Sequence, residues 1–170
     1  MQKELGTRLL SIGALRSAAE LFERLQLWDN VIECYQYEEK EAKAEELVRK
    51  RLAVSPTPKL HCILGDLKQD PAEYEKAWEL SNGHYARAMR SLGAHYFKNG
   101  KNDQAIECFE KALALNAIFP KTWFALGCCY MLQNNWDKAL GSFTRVISLE
   151  PSDSEAWTNI ASIHLQNKKK

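Results

Sequence analysis

The sequence predicts an all-α fold, a right-handed solenoid of antiparallel helix pairs. Two observations carry that prediction. Apolar residues recur at i, i+3, i+4 and i+7, the stripe of a helix that buries one face. In the C-terminal half the stripes themselves recur with a period of about 34 residues, the mark of self-similar units stacked in one array. Connections between stripes are short, and no segment shows the period-two alternation of a strand.

Taken in chain order, the first pair is predicted over 2–12 and 15–25, where Leu5, Gly6, Ala18 and Phe22 mark the packed face. The second, over 28–37 and 41–53, carries Trp28, Val31, Tyr35, Ala44 and Val48 and stops short of Pro56, which lacks the amide a helix needs. The third is a shortened unit, 58–67 and 71–81, with Leu64, Gly65 and Ala77. In it Asp70-Pro71-Ala72-Glu73 reads as a capping box with proline at the first helical position.

The fourth pair, 84–98 and 102–115, has Leu92, Gly93, Tyr96, Ala105, Phe109 and Ala112. The fifth, 119–132 and 136–148, repeats it with Trp123, Leu126, Gly127 and Tyr130, then Ala139, Leu140, Phe143, Val146 and Ile147. Asn134 and Asn135 interrupt that pair, asparagine being a good N-cap, and Pro151 ends it. Leu92 and Leu126 stand one full period apart, as do Ala105 and Ala139. Small residues at Gly127 and Ala139 predict a close helix crossing, with Trp123, Tyr130 and Phe143 filling the space around it. A last helix, 153–167, sets Trp157, Ile160, Ala161 and His164 at the same register, with Ser152 and Glu155 as its capping box.

These eleven helices make one helical-repeat domain, 1–170. Residues 1–85 form divergent or short repeats, 86–119 and 120–153 full repeats, and 154–170 a partial one. The partial unit is expected to belong to a longer array, or its final helix to act as a cap, since a repeat does not bury its apolar face alone. By that reasoning Trp157, Ile160 and His164 await a further helix.

The composition of the 170 residues excludes several functions. Lys and Arg total 23 and Asp and Glu 22, which argues against a dedicated nucleic-acid or membrane-surface protein. No apolar run is long enough to span a bilayer, and the polar N-terminal stretch does not resemble a signal peptide. Five cysteines, with no zinc-ligand spacing, read as reduced, buried thiols of a cytosolic or nuclear protein. The four histidines are scattered over three units, and no two share a face with a Cys or carboxylate at ligand spacing, so no metal or other cofactor is expected. No phosphate loop, nucleophile elbow or HExxH motif is present, so the reading is non-enzymatic.

The motif of Trp123, Leu126, Gly127, Tyr130, Ala139, Phe143 and Pro151 resembles the tetratricopeptide repeat, W-x2-L-G-x2-Y…A-x3-F…P, in pattern and in period. A narrower resemblance, to the tetratricopeptide repeat protein 27 family, lies in "LGDLKQDPAEYEKAWELSNGHYARAMRSLG", Leu64 to Gly93, and extends over most of the chain. It implies a eukaryotic scaffold of the cytoplasm and nucleus, part of a longer protein, linked to chaperone-assisted assembly of protein complexes.

The expected binding surface is the concave face, lined by the first helix of each unit. The partner-binding candidates are Arg87, Arg90, Phe97 and Lys98 on one first helix, then Lys121, Phe124 and Met131 on the next. Cations around apolar side chains suit an acidic-hydrophobic protein or peptide segment. With Asp29, Glu33 and Asp66 upstream, the face is expected to be acidic early and basic later. The alternative, an RNA-binding helical repeat, needs a basic groove in every unit, which those acids oppose. The carboxylate clamp that the resemblance implies, a device for chaperone tails, needs Lys or Asn where this chain has Ala94, Ala125 and Glu155. It is therefore expected to be missing. Cys128, beside the groove stripe, has no cationic neighbour in sequence and is expected to be inert.

Overall fold

The computed structural model describes Gly6, Arg8 and residues 13–167. Among these residues ten bounded α-helices follow one another with no β-strand: α1 (Leu15–Arg24), α2 (Trp28–Tyr37), α3 (Glu41–Val54), α4 (Pro58–Lys68), α5 (Pro71–Leu80), α6 (Ala86–Lys98), α7 (Asn102–Leu115), α8 (Pro120–Leu132), α9 (Trp136–Leu149) and α10 (Ser154–Asn167). The predicted helix over 2–12 lies outside the described residues, except that Gly6 and Arg8 are helical. The widest departure is at α6, predicted from residue 84. The Ser81 hydroxyl accepts from the amides of His84 and Tyr85 and holds them in the preceding turn.

Among the described residues, four of the ten helices start on a side-chain cap, at Thr57, Asp70, Asn135 and Asp153. Thr57 caps α4 by accepting from the Leu60 amide, with Pro58 at the first position. Asn135 caps α9 through the Lys138 amide. The turn before it uses Asn134 at φ 58°, and Gly100, one period earlier, takes the same left-handed backbone at φ 72°. Two capping boxes are corrected. Asp70 accepts from the Ala72 amide, but Glu73 turns inward instead of back to the cap. At α10 the cap is Asp153, which accepts from the Ala156 amide, not Ser152.

Each helix packs on the next, and α4, α6 and α8 also pack on one another in series. Contacts of that extent do not join α5, α7 and α9 among the described residues, so the array bends toward the α4–α6–α8 side. Among the described residues the interior is a chain of four clusters, the largest spanning both the Phe109 and Phe143 crossings, and not a single central core.

The crossings share one device. Gly65 faces Tyr74, Gly93 faces Phe109 and Gly127 faces Phe143, with a β-carbon at each glycine falling 2.7, 2.7 and 2.8 Å from the ring. Gly6 meets Phe22 in the same way. The α2–α3 pair solves the crossing differently. Ile32 stands in the glycine register and Val48 in the aromatic one, both fully buried, so the volumes are redistributed. A second device ties each pair to the one before. The hydroxyls of Tyr35, Tyr96 and Tyr130, at equivalent places on α2, α6 and α8, donate to Glu23, Glu75 and Glu110 on the preceding helix.

Candidate partner-binding groove

The face formed by α4, α6 and α8 holds most of the predicted site, but not as one patch. Arg87 opens α6 and is already engaged: its guanidinium donates to Asp66 at 2.9 Å. Asp66 also accepts from the Tyr74 hydroxyl at 2.9 Å, so this carboxylate braces α4, α5 and α6 together. Arg87 is thus part of the frame. Lys59 is engaged likewise, 2.7 Å from Asp29 of α2.

Arg90, one turn on, has a different environment. Its guanidinium carbon lies 3.7 Å from the centre of the Phe119 ring, a cation–π stack. Its Nε is buried and makes no hydrogen bond. Burial and the neighbouring Arg87 push the Arg90 guanidinium below its ordinary value, while it remains a cation at neutral pH. Phe119 precedes Pro120 and Lys121, so the stack borders the next groove segment. There Lys121 and Phe124 line a cleft of 430 Å³ with Glu150, Ser152, Asp153 and Glu155. The face is therefore mixed beyond Arg90, because the start of α10 returns carboxylates to it.

The remaining candidates lie apart. Lys98 closes α6, about 16 Å along the axis from Arg87 at 1.5 Å per residue. It lines a small cleft with Gln69, Tyr74 and His95. Phe97, Phe124 and Met131 are half-buried and pack on the core cluster between α7 and α10. Phe124 stands edge-on to Phe143 with ring centres 5.4 Å apart, so it offers only part of its ring to the groove.

The thiols are poorly suited to chemistry. Cys34, Cys62, Cys108 and Cys129 are buried, and burial pushes Cys62 up to about 12 and Cys108 and Cys129 up to about 11. Cys128 is half-buried, and burial and Glu155 raise it too. Among the described residues no group of three His, Cys, Asp or Glu side chains could hold a metal ion. No described helix is long and apolar enough to cross a membrane.

Sequence reasoning missed three features. Phe119 shows no periodic signal and matters only through Arg90. Asp66 and Arg87 belong to different units, a separation that acquires meaning only when units stack. His61, read as one of four unconnected histidines, pairs through Nδ1 with Glu73 at 2.7 Å, and Lys76 donates to the same carboxylate. At the last helix, Trp157 and His164 are exposed, whereas Ile160 is buried in the cluster with Phe143 and Tyr130. Ile160 is therefore covered without any further helix.

A stack of helix pairs with glycine–aromatic crossings and an open first-helix face defines a class of protein-interaction scaffold. The chain belongs to the tetratricopeptide repeat family, whose profiles match residues 86–117 and 120–153. It is 47% identical over 131 residues to the "Tetratricopeptide repeat protein 27 homolog" of Dictyostelium discoideum, covering 77% of this chain and 15% of that protein. It is 39% identical over 169 residues to "TPR repeat-containing protein C19B12.01" of Schizosaccharomyces pombe, covering 99% and 21%. The chain thus spans about a fifth or less of these curated relatives. Among solved structures it superposes on TTC0263, a thermophilic TPR protein of Thermus thermophilus, with a TM-score of 0.71 at 21% identity over 96% of this chain and 97% of that one.

Proposed function

We propose that this segment binds an extended stretch of a partner protein, rich in Asp or Glu and bulky apolar residues, along the first-helix face across α6 and α8. The observation that carries the reading is Arg90: a cation stacked on Phe119 that, unlike Arg87 and Lys59, has no carboxylate partner among the described residues. Arg90 would fork a partner carboxylate. Lys121 would add attraction, and the free side of Phe124 would receive an apolar side chain. The protein acts without catalysis of its own. Its resemblance to the protein 27 homologues supports a place in chaperone-assisted complex assembly, in the cytoplasm and nucleus.

The test is a polarisation titration with a labelled peptide alternating Glu with Leu and Phe. Arg90→Glu should weaken binding at least tenfold, and Lys121→Glu less. Equal affinity for Arg90→Glu and wild type would refute the reading. RNA binding, the alternative, would show instead as retention of labelled single-stranded RNA that falls steeply with salt. Asp66 beside Arg87 and Glu155 beside Lys121 count against it.

A further inference from the structure

Gly141 has no packing reason to be glycine. The glycines at 65, 93 and 127 each face a ring that a β-carbon would strike, whereas a β-carbon on Gly141 would meet nothing within 4 Å. Gly141 lies inside α9 and does not use left-handed backbone. Glycine inside a helix costs stability relative to alanine, and nothing within the molecule offsets that cost here.

What Gly141 does is open a cleft. On the face opposite the groove, α7 and α9 flank a mostly apolar hollow of 510 Å³ floored by Leu113, Leu126, Trp123 and Tyr130. The corresponding hollow one unit earlier measures 280 Å³ and is ringed by Glu75, Glu79 and Glu107. Glu107 is the counterpart of Gly141, one period before it. The two hollows therefore differ in size and in charge.

The later hollow is edged by two cations, Lys138 and Arg145, and one carboxylate, Glu110, so its rim is net positive. Glu110 is occupied by the Tyr130 hydroxyl. Lys138 stands over the Tyr130 ring at 5.1 Å, and neither it nor Arg145 has a carboxylate partner among the described residues. An apolar floor beneath two unpaired cations is complementary to an aromatic side chain flanked by carboxylates. We propose that this cleft is a second docking site, separate from the groove, which takes a Phe or Trp of a partner protein segment with Asp or Glu beside it.

The proposal is tested by following the Gly141 amide and the Trp123 indole N–H of the 170-residue chain by NMR. The probes are end-blocked Glu-Glu-Phe-Glu-Glu and Lys-Lys-Phe-Lys-Lys. Net charge is +1, so bulk charge gives neither peptide a large advantage. The acidic peptide should shift both signals saturably, at least tenfold more tightly than the basic one. Gly141→Leu should abolish that binding while raising the thermal midpoint, which shows that the variant folds. Arg145→Glu should weaken binding at least fivefold. Equal binding of the two peptides, unchanged binding by Gly141→Leu, or no saturable shift would overturn the site. Shifts confined to residues around Arg90 and Phe124 would also overturn it, while leaving the groove reading intact.

Discussion

The Phe143 ring occupies the space that a β-carbon at residue 127 would need, its Cζ lying 2.8 Å from that position. Phe143 is fully buried, so the ring has no solvent to retreat into. Gly127→Ala should therefore destabilise by about 1–3 kcal/mol from overpacking, reduced by the roughly 1 kcal/mol that alanine gains in helix propensity. Gly141→Ala is the internal control. With open space around it, it should stabilise by about 0.5–1 kcal/mol. Urea melts of both variants check the pair, and a loss at 141 with a gain at 127 would refute the crossing geometry.

The same crossing depends on Phe143 and Ala139, both fully buried. Phe143→Ala should cost about 3–5 kcal/mol through lost burial and a cavity. Ala139→Leu should cost about 1–3 kcal/mol because the added carbons have no room. An unchanged urea midpoint for either variant would show that the α8–α9 interface is looser than described.

The tyrosine–glutamate ties predict a loss of stability in alkali. The Tyr35 hydroxyl is pushed up to about 12 by its hydrogen bond to Glu23, then by burial. An unfolded tyrosine titrates near 10. The folded state keeps the proton to higher pH, so this contribution is complete below about pH 10 and fades as pH rises through 10 to 12. Tyr35→Phe should shrink the drop in urea midpoint between pH 9 and 12. Tyr96 and Tyr130, raised first by burial and then by their glutamates, should leave a residual decline. If the Phe variant shows the wild-type drop, the tie contributes nothing.

Glu73 predicts the opposite sign in acid. Burial raises its carboxyl, but the hydrogen bonds from Lys76 and His61 outweigh burial and hold it below the ordinary range. Its contribution is present above the unfolded value, near 4.3, and is lost as pH falls through the folded one. Glu73→Gln should lower stability at pH 7 and flatten the acid limb of a pH–stability curve. A parallel curve for wild type and variant would refute the role.

Arg87 and Arg90 should separate cleanly despite lying one turn apart. Arg87→Glu places a second carboxylate beside Asp66 and should lower the melt; the partly exposed pair itself contributes up to about 1 kcal/mol. Arg90→Glu gives up only the stack on Phe119, about 0.5–1 kcal/mol, so it should lower the melt less than Arg87→Glu does while weakening the acidic-apolar peptide. Thermal melts and polarisation titrations of the two single variants decide it. A melt lowered equally by both would make Arg90 part of the frame as well.

Helix positions, the repeat period and the buried faces were readable from the chain because each follows from local spacing. Leu126, Tyr130 and Phe143 fall on packing stripes whatever the unit packs against, and an amphipathic helix has few ways to hide such a stripe. Even the shortened unit announced itself through Leu64, Gly65 and Ala77. Which face each groove side chain serves was less legible. Phe97, Phe124 and Met131 sit where the packing stripe and the groove stripe meet, and only the neighbouring helices decide how much of each ring or thioether stays outside.

The sequence by itself determined which residues are helical, where the chain turns and which side chains are buried, because periodicity, caps and proline act over a few residues. Only the tertiary structure decided how charges are spent. Asp66 takes Arg87 from the next unit, Phe119 takes Arg90, and Glu73 takes His61, because stacking brings together groups whose separation in the chain carries no signal. An ion pair needs its atoms within about 4 Å and a cation–π stack within about 6 Å, so partnership is settled by the register of neighbouring helices, which the spacing within one helix does not encode.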